Sequence, residues 1–182
     1  MDGADDAELR TLCFQDAEQQ MYVKFYAAKY DKYKPPKDID LLSASVLEFV
    51  DRPNAPQRDR VCGIEPYIFG HYGKWNMAFG PQHEVVRCTP EAFAHYTFYS
   101  SKRTLVVSDM RIIGDLFSDP IVHTRDIRGS ELYYGNRGPD GIDEFLKTHK
   151  CNGVCRAMNL AHLNVPKERE RLRTALETDI EK

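Results

Sequence analysis

Residues 89–124 read TPEAFAHYTFYSSKRTLVVSDMRIIGDLFSDPIVHT, and the order of patterns in this stretch decides the fold class. Thr89-Pro90 is a helix start. A capping hydroxyl precedes a proline at the first helical position, where its missing N–H would be unpaired anyway. Phe93, Ala94 and Tyr96-Thr97 carry that helix to about Ser101. TLVVSD (104–109) is a short buried strand ending in a carboxylate, and RIIGDLFSDP (111–120) is a strand followed by a turn. A helix feeding short strands that end in aspartates points to a mixed α+β domain.

Outward from this centre, the N-terminal side holds a helix over 14–30 that stops before Pro35-Pro36. Phe14, Ala17, Met21, Phe25 and Ala28 form its predicted core-facing stripe, with Tyr22, Val23, Tyr26 and Tyr30 buried on further faces. Two strand-like runs follow, SVLEFV (45–50) and VCGIEPYIF (61–69), the second interrupted at Pro66. A loop occupies 70–80. On the C-terminal side, residues 124–138 read as a loop with Gly129, Gly135 and Gly138. Helices are predicted over 140–149, 152–160 and 166–179, the last on a Leu172/Leu176/Ile180 stripe. Its KERERLR run reads as a solvated face with i,i+3 charge pairs.

The 182 residues suit one domain, or one and a piece, and 42% hydrophobic residues supply enough apolar mass for a core. A net charge of −3 argues against a strongly basic nucleic-acid binder. No apolar run reaches the ~18 residues of a membrane span. The acidic start MDGADDAE is unlike a signal or transit peptide. Five cysteines, an odd number without a secretory signal, read as reduced thiols or metal ligands in a cytosolic protein.

HKCNGVC (149–155) brings His149, Cys151 and Cys155 together, the two cysteines one helical turn apart. Three such donors make a zinc pattern lacking its fourth ligand, and His95 is the best remaining candidate. Four protein ligands would close the tetrahedron and make the metal structural. Asp109, Asp119 and, between them, Asp115 stand at strand ends or turns, where carboxylates hold a divalent cation or accept a proton. The alternative reading is that Asp119-Pro120 is turn chemistry and Asp109 a strand terminator.

Taken together, TPEAFAHYTF, the SD…SDP pair and H-x-C-x3-C, in this order and within residues 14–165, resemble an alpha-kinase catalytic domain. The resemblance is strongest to the elongation-factor-2-kinase and myosin-heavy-chain-kinase branch. It implies an atypical kinase-like α+β fold, with a partial N-lobe and a zinc-stabilised C-lobe. The implied parts are a polar segment at 1–13, the rest of the N-lobe and hinge at 14–69, the C-lobe at 70–165 and a terminal helix at 166–182.

It also implies ATP-dependent phosphorylation of Ser or Thr on a protein, with ATP, magnesium and a structural zinc. By the same resemblance His95, His149, Cys151 and Cys155 are zinc ligands. Asp109 is the catalytic aspartate and Asp119 the magnesium ligand. Glu65 and Tyr67 belong to the hinge that reads adenine, Lys74 lies near the active site, and Gly135, Asn136 and Gly138 belong to a glycine-rich loop facing the cleft.

The chain departs from the pattern at Arg111, where the family has glutamine, at Ala78, where it has asparagine, and at Tyr133, Tyr134 and Arg137 in the glycine-rich loop. Alpha-kinases also place strands with an ATP-contacting lysine before the first helix. The chain opens at that helix, and Lys24 reads as a surface group on it. The expected function is therefore an incomplete or impaired kinase. Its alternative is a catalytically inactive, zinc-stabilised protein-binding module.

Overall fold

The first helix, α1 (Asp6–Asp31), carries Lys29 in its last turn, where a cation suits the negative end of the helix dipole. The structure, a computed structural model, describes residues 6–56, 59–70, 72–74, 84–126 and 134–180. Among these, α1 buries Val23, Tyr26 and Tyr30 as expected but not the predicted main stripe. Gln19, Gln20, Val23, Tyr26, Ala27 and Tyr30 point inward, whereas Phe14, Met21 and Phe25 are 44%, 44% and 55% exposed. The two glutamines decide this rotation, because their amides serve backbone groups in the interior. Outside, Lys29 lies over the Phe25 ring and Arg10 over Phe14. Of the tyrosine-rich patch, Tyr26 and Tyr30 are core, and Tyr22 and Tyr33 are exposed. Lys24 lies on the helix side, as expected, with its ammonium anchored on the Leu41 carbonyl and the Ser43 hydroxyl.

Short strands follow: β1 (Asp40–Leu41), β2 (Ser45–Glu48), β3 (Val61–Ile64) and β4 (Tyr72–Lys74). β2 and β3 form an antiparallel pair from Ser45↔Ile64 to Glu48↔Val61, ended before Pro66 as the sequence predicts. Next comes α2 (Glu84–Ser100), which begins earlier than Thr89-Pro90. Thr89 is therefore no cap but a fully buried residue. Pro90 sits inside the helix, where it forfeits one i→i−4 bond.

β5 (Leu105–Ser108) pairs antiparallel with β8 (Ile121–Thr124). Between them β6 (Arg111–Ile113) and β7 (Leu116–Ser118) make a hairpin turned at Gly114, whose φ of 61° suits a residue without Cβ. The hairpin lies inside a four-stranded sheet of order β1-β7-β6-β4, with β1 parallel to β7. Asp115, in the hairpin turn, is exposed and paired with Lys37.

The chain ends in α3 (Gly138–Thr148), α4 (Gly153–Ala157) and α5 (Val165–Ile180). α5 is more than a solvated face. Glu168 is 4% exposed and is held by Arg103 and Arg171, and Arg169 pairs with Asp143 of α3.

Two apolar clusters fix these elements. In the first, Tyr30 of α1 meets Phe93 and Tyr96 of α2 edge-on at 5.3 and 5.4 Å, over Val107, Met110, Ile112, Phe117 and Val122. In the second, Phe98 and Val106 pack against Ile142, Phe145 and Leu146 of α3 and Leu172 of α5. Leu176 packs beside them, and the side chain of Ile180 lies outside the described residues.

Candidate active cleft and metal centre

Asp109 follows β5 and Asp119 follows β7, both in the left-handed region, with φ of 47° and 46°. Aspartate tolerates that conformation better than most residues, yet it is uncommon outside glycine and recurs at functional turns. Both carboxylates line one cleft of about 690 Å³, with Asp16, Gln19, Gln20, Glu65, Arg111 and Tyr134. Burial, and then the nearby Asp119, raise the carboxyl of Asp16 above the usual range.

Gln20, 3% exposed, is the clasp of this cleft. Its Oε1 accepts the Asp119 N–H at 3.0 Å, and its Nε2 donates to the Leu42 carbonyl and to Glu65. Next to it, Gln19 accepts the N–H of Val122. Sequence reasoning missed both glutamines. Two adjacent amides in a helix with apolar residues on several faces were the available signal.

A second, smaller cavity of about 190 Å³ adjoins the first and shares Asp109 and Met110 with it. Glu91, Ser108, His123, Arg137, Gly141 and Glu144 are among its lining residues. His123, also missed, is 5% exposed. Its Nδ1 accepts the Arg137 backbone N–H at 3.1 Å, which leaves the proton on Nε2 to be donated to Ser108 Oγ at 3.2 Å. Ser108 Oγ lies 3.5 Å from Asp109 Oδ2. A neutral imidazole thus braces the turn that presents Asp109.

Burial, and then the charge of Arg137, lower the pKa of His123 from 6.5 to about 4, against the opposing pull of Asp109. The unfolded chain takes up a proton near pH 6.5 that the folded chain refuses until about pH 4. The contribution of neutral His123 is therefore complete above pH 6.5 and lost on acidification to about pH 4. It amounts to on the order of 3 kcal/mol. An NMR titration is expected to show the His123 ring neutral at pH 5, with stability already falling. A ring that titrates at 6.5 would contradict this.

The other expected cleft residues divide. Glu65 lines the cleft, whereas Tyr67, expected beside it, is 88% exposed and does not. Asn136 is committed elsewhere. Its Oδ1 accepts the N–H groups of Thr124 and Gly138 at 3.1 and 2.8 Å, and its Nδ2 donates to Thr124 Oγ1. It ties β8 to the start of α3, and neither it, Gly135 nor Gly138 lines the cleft. Gly135 (φ 78°) packs against Ile121, and Gly138 (φ 59°) opens α3. Register places Lys74 opposite Arg111. The Lys74 side chain, Ala78 and Tyr133 lie outside the described residues. Arg111 Nε sits 3.3 Å from Asp119 Oδ2, an ion pair within the cleft.

The four sulfur and nitrogen ligand candidates converge. Donor atoms of His95, His149, Cys151 and Cys155 all lie within 4.8 Å of one another. His95 Nδ1 is 3.7 Å from Cys151 Sγ, and His149 Nε2 is 4.0 Å from Cys155 Sγ. Neighbouring ligand atoms around tetrahedral zinc stand roughly 3.4–3.8 Å apart. The His95–Cys151 pair matches that spacing and the His149–Cys155 pair is slightly wider, so the donor set suits zinc after a small contraction. The outward nitrogens are also placed as a metal site requires. His95 Nε2 lies 3.0 Å from the Ala161 carbonyl, and His149 Nδ1 lies 3.4 Å from Glu91 Oε2.

The route to convergence differs from the expected helix face. α4 begins only at Gly153, and Cys151 precedes its cap. Asn152 is that cap, accepting the Val154 and Cys155 N–H groups while donating to the Cys88 carbonyl. His149 caps the C-terminal end of α3.

The chain is similar to known proteins in sequence and in fold. The profile of the Alpha-kinase family matches residues 3–155. Myosin heavy chain kinase B of Dictyostelium discoideum is 40% identical over 167 residues, covering 92% of this chain and 22% of that protein. Eukaryotic elongation factor 2 kinase of Homo sapiens is 37% identical over 163 residues, covering 88% and 22%. The chain thus spans about a fifth of the length of these curated relatives.

Among solved structures, the alpha-kinase domain of myosin heavy chain kinase A in complex with ADP superposes with a TM-score of 0.70 at 35% identity. That match covers 84% of this chain and 61% of that one. An inactive form of the same domain in complex with ATP gives 0.72 at 34%, over 88% and 62%. With the family profile matching residues 3–155 and this fold shared with solved alpha-kinase domains, the chain belongs to the alpha-kinase family.

Proposed function

We propose that this chain carries the phosphoryl-transfer centre of an ATP-dependent protein serine/threonine kinase. The observation behind this reading is the position of Asp109, held in a left-handed turn on the wall between a large cleft and a small cavity. Phosphoryl transfer needs a nucleotide on one side and an acceptor hydroxyl on the other, with a carboxylate to align that hydroxyl and take its proton. The larger cleft has room for a nucleotide, and its relatives' domains are described in complex with ADP and ATP. Glu65, fixed by Gln20, lines that cleft and is the residue that would read adenine from the hinge. The smaller cavity would admit the acceptor side chain. In this reading residues 14–69 are the remaining small lobe with its hinge, and 70–165 the large lobe.

Zinc in the His95, His149, Cys151 and Cys155 cluster would supply a fixed cross-link and no chemistry, since four protein ligands leave no open position. These residues tie α2, the end of α3 and α4 together beside β5, which carries Asp109. Magnesium fits less well. Asp119, its expected ligand, is engaged by Arg111. That ion pair favours a second reading, in which the fold binds nucleotide and partner protein but does not transfer phosphate.

Transfer of radiolabelled phosphate from ATP to a serine/threonine peptide library distinguishes the two readings. Asp109→Asn is expected to reduce transfer by about 10²- to 10⁴-fold while leaving adenosine binding unchanged. Wild-type transfer that survives this change would refute the role of Asp109. Nucleotide binding without transfer in the wild type would select the second reading.

A further inference from the structure

The Arg111–Asp119 pair is built into the sheet. Arg111 opens β6 and pairs in register with Ser118 of β7, and Asp119 is the next residue. The hairpin ladder therefore holds the guanidinium and carboxylate side by side, at 3.3 Å. A magnesium ion on that carboxylate oxygen, at about 2.1 Å, would lie within about 5.4 Å of the Arg111 Nε. Both are cations, so each disfavours the other at this distance.

Among the described residues lining the cleft, the carboxylates are Asp16, Glu65, Asp109 and Asp119, and Arg111 is the one cationic side chain. A polyphosphate entering such a cleft needs positive charge. The planar guanidinium offers it in the two-pronged geometry that matches phosphate oxygens.

We infer that Arg111 takes the place of a divalent cation at Asp119, so that the cleft receives the phosphates of a nucleoside di- or triphosphate on a guanidinium without needing metal there. The inference rests on the nucleotide-binding reading above and specifies how that site handles charge. Arg111 neutralises Asp119, which would otherwise repel the phosphates, and then shares its fork with a phosphate oxygen. The substitution Arg111→Gln removes this cation and restores to Asp119 the full charge that draws a metal. The phosphate contribution to binding then becomes dependent on magnesium.

The test is calorimetric titration of the whole chain with adenosine and with ADP. The ADP titration is done in buffer freed of divalent ions by chelating resin, and again with millimolar magnesium. A soluble chelator is avoided because it would draw on the His/Cys cluster. Wild-type affinity for ADP is expected to change less than about threefold between the two buffers. Arg111→Gln is expected to bind ADP at least about tenfold more weakly without magnesium than with it. Arg111→Lys, which keeps the charge without the fork, should fall between them. Adenosine should bind all three alike, since it has no phosphate to sense residue 111.

Wild-type ADP binding that needs magnesium as strongly as Arg111→Gln does would overturn the inference while adenosine binding left the nucleotide site standing. Equal metal-free ADP binding by wild type and Arg111→Gln would also overturn it. If neither adenosine nor ADP binds wild type in either buffer, the nucleotide reading itself fails and takes this inference with it.

Discussion

Alanine in place of Gly141 is expected to destabilise the chain by on the order of 3 kcal/mol. For a domain of this size that lowers the melting temperature by roughly 6–12 °C. Secondary-structure propensity alone predicts the opposite sign. Gly141 lies within α3, where alanine is worth about 1 kcal/mol over glycine. Packing reverses the balance. A Cβ at 141 would fall inside the van der Waals envelope of the His123 ring, against Cγ, Cδ2 and Nδ1. The ring has little room to move, because Arg137 and Ser108 hold its two nitrogens.

Relief therefore requires α3 to shift away from β8, or His123 to release the turn that presents Asp109. A double-mutant cycle checks the mechanism. With His123→Ala already in place, the added cost of Gly141→Ala should shrink by at least about 1 kcal/mol. Thermal unfolding in which Gly141→Ala is as stable as wild type would show that the contact does not constrain the fold.

Why this glycine and its histidine escaped sequence reading is itself physical. Each is unremarkable in its own segment, and only the antiparallel pairing of β5 with β8 brings α3 over His123. The same holds for Gln20, whose Oε1 meets the N–H of a residue 99 positions away. Local pattern could place α1 but could not choose its inner face, since the apolar stripe Phe14/Met21/Phe25 was as regular as the one actually buried. The choice was made by hydrogen bonds that distant backbone groups required.

By contrast, β5, the strand β6 and the helix over 138–148 were legible, because each has its period and its turn residues within a dozen positions. β7, however, lies in what reads as the turn after β6 and pairs back on it as a hairpin. β1 and β4, two and three residues long, carry too few side chains to show a period. The His/Cys cluster was legible in part. The short spacing of His149, Cys151 and Cys155 announced a ligand group, while His95 was chosen for its chemistry, since no spacing links it to the others.

That cluster carries the largest effect to be expected. Without metal, burial pushes the Cys155 thiol up to about 11, and burial, then His149, lowers the pKa of His95 to about 4. These neutral groups stay desolvated with few partners, whereas zinc would take up the thiolates and imidazole nitrogens together. Structural zinc binding is worth roughly 10–16 kcal/mol, against about 5–15 kcal/mol for the net stability of a whole domain. Cys155→Ser, or prolonged exposure to a strong chelator, is accordingly expected to abolish cooperative unfolding.

Elemental analysis should find one zinc per wild-type chain and none in Cys155→Ser. Cobalt exchange should give the tetrahedral absorption with thiolate charge-transfer bands that two sulfur and two nitrogen ligands produce. A wild-type chain without zinc, whose melting temperature ignores the chelator, would refute the metal centre. The consequence reaches beyond stability. α2 supplies His95 and packs on β5, whose last turn fixes Asp109, so the geometry of Asp109 cannot outlast the anchoring of α2. Zinc loss and loss of the ordered turn at Asp109 are therefore expected to follow one curve against chelator concentration.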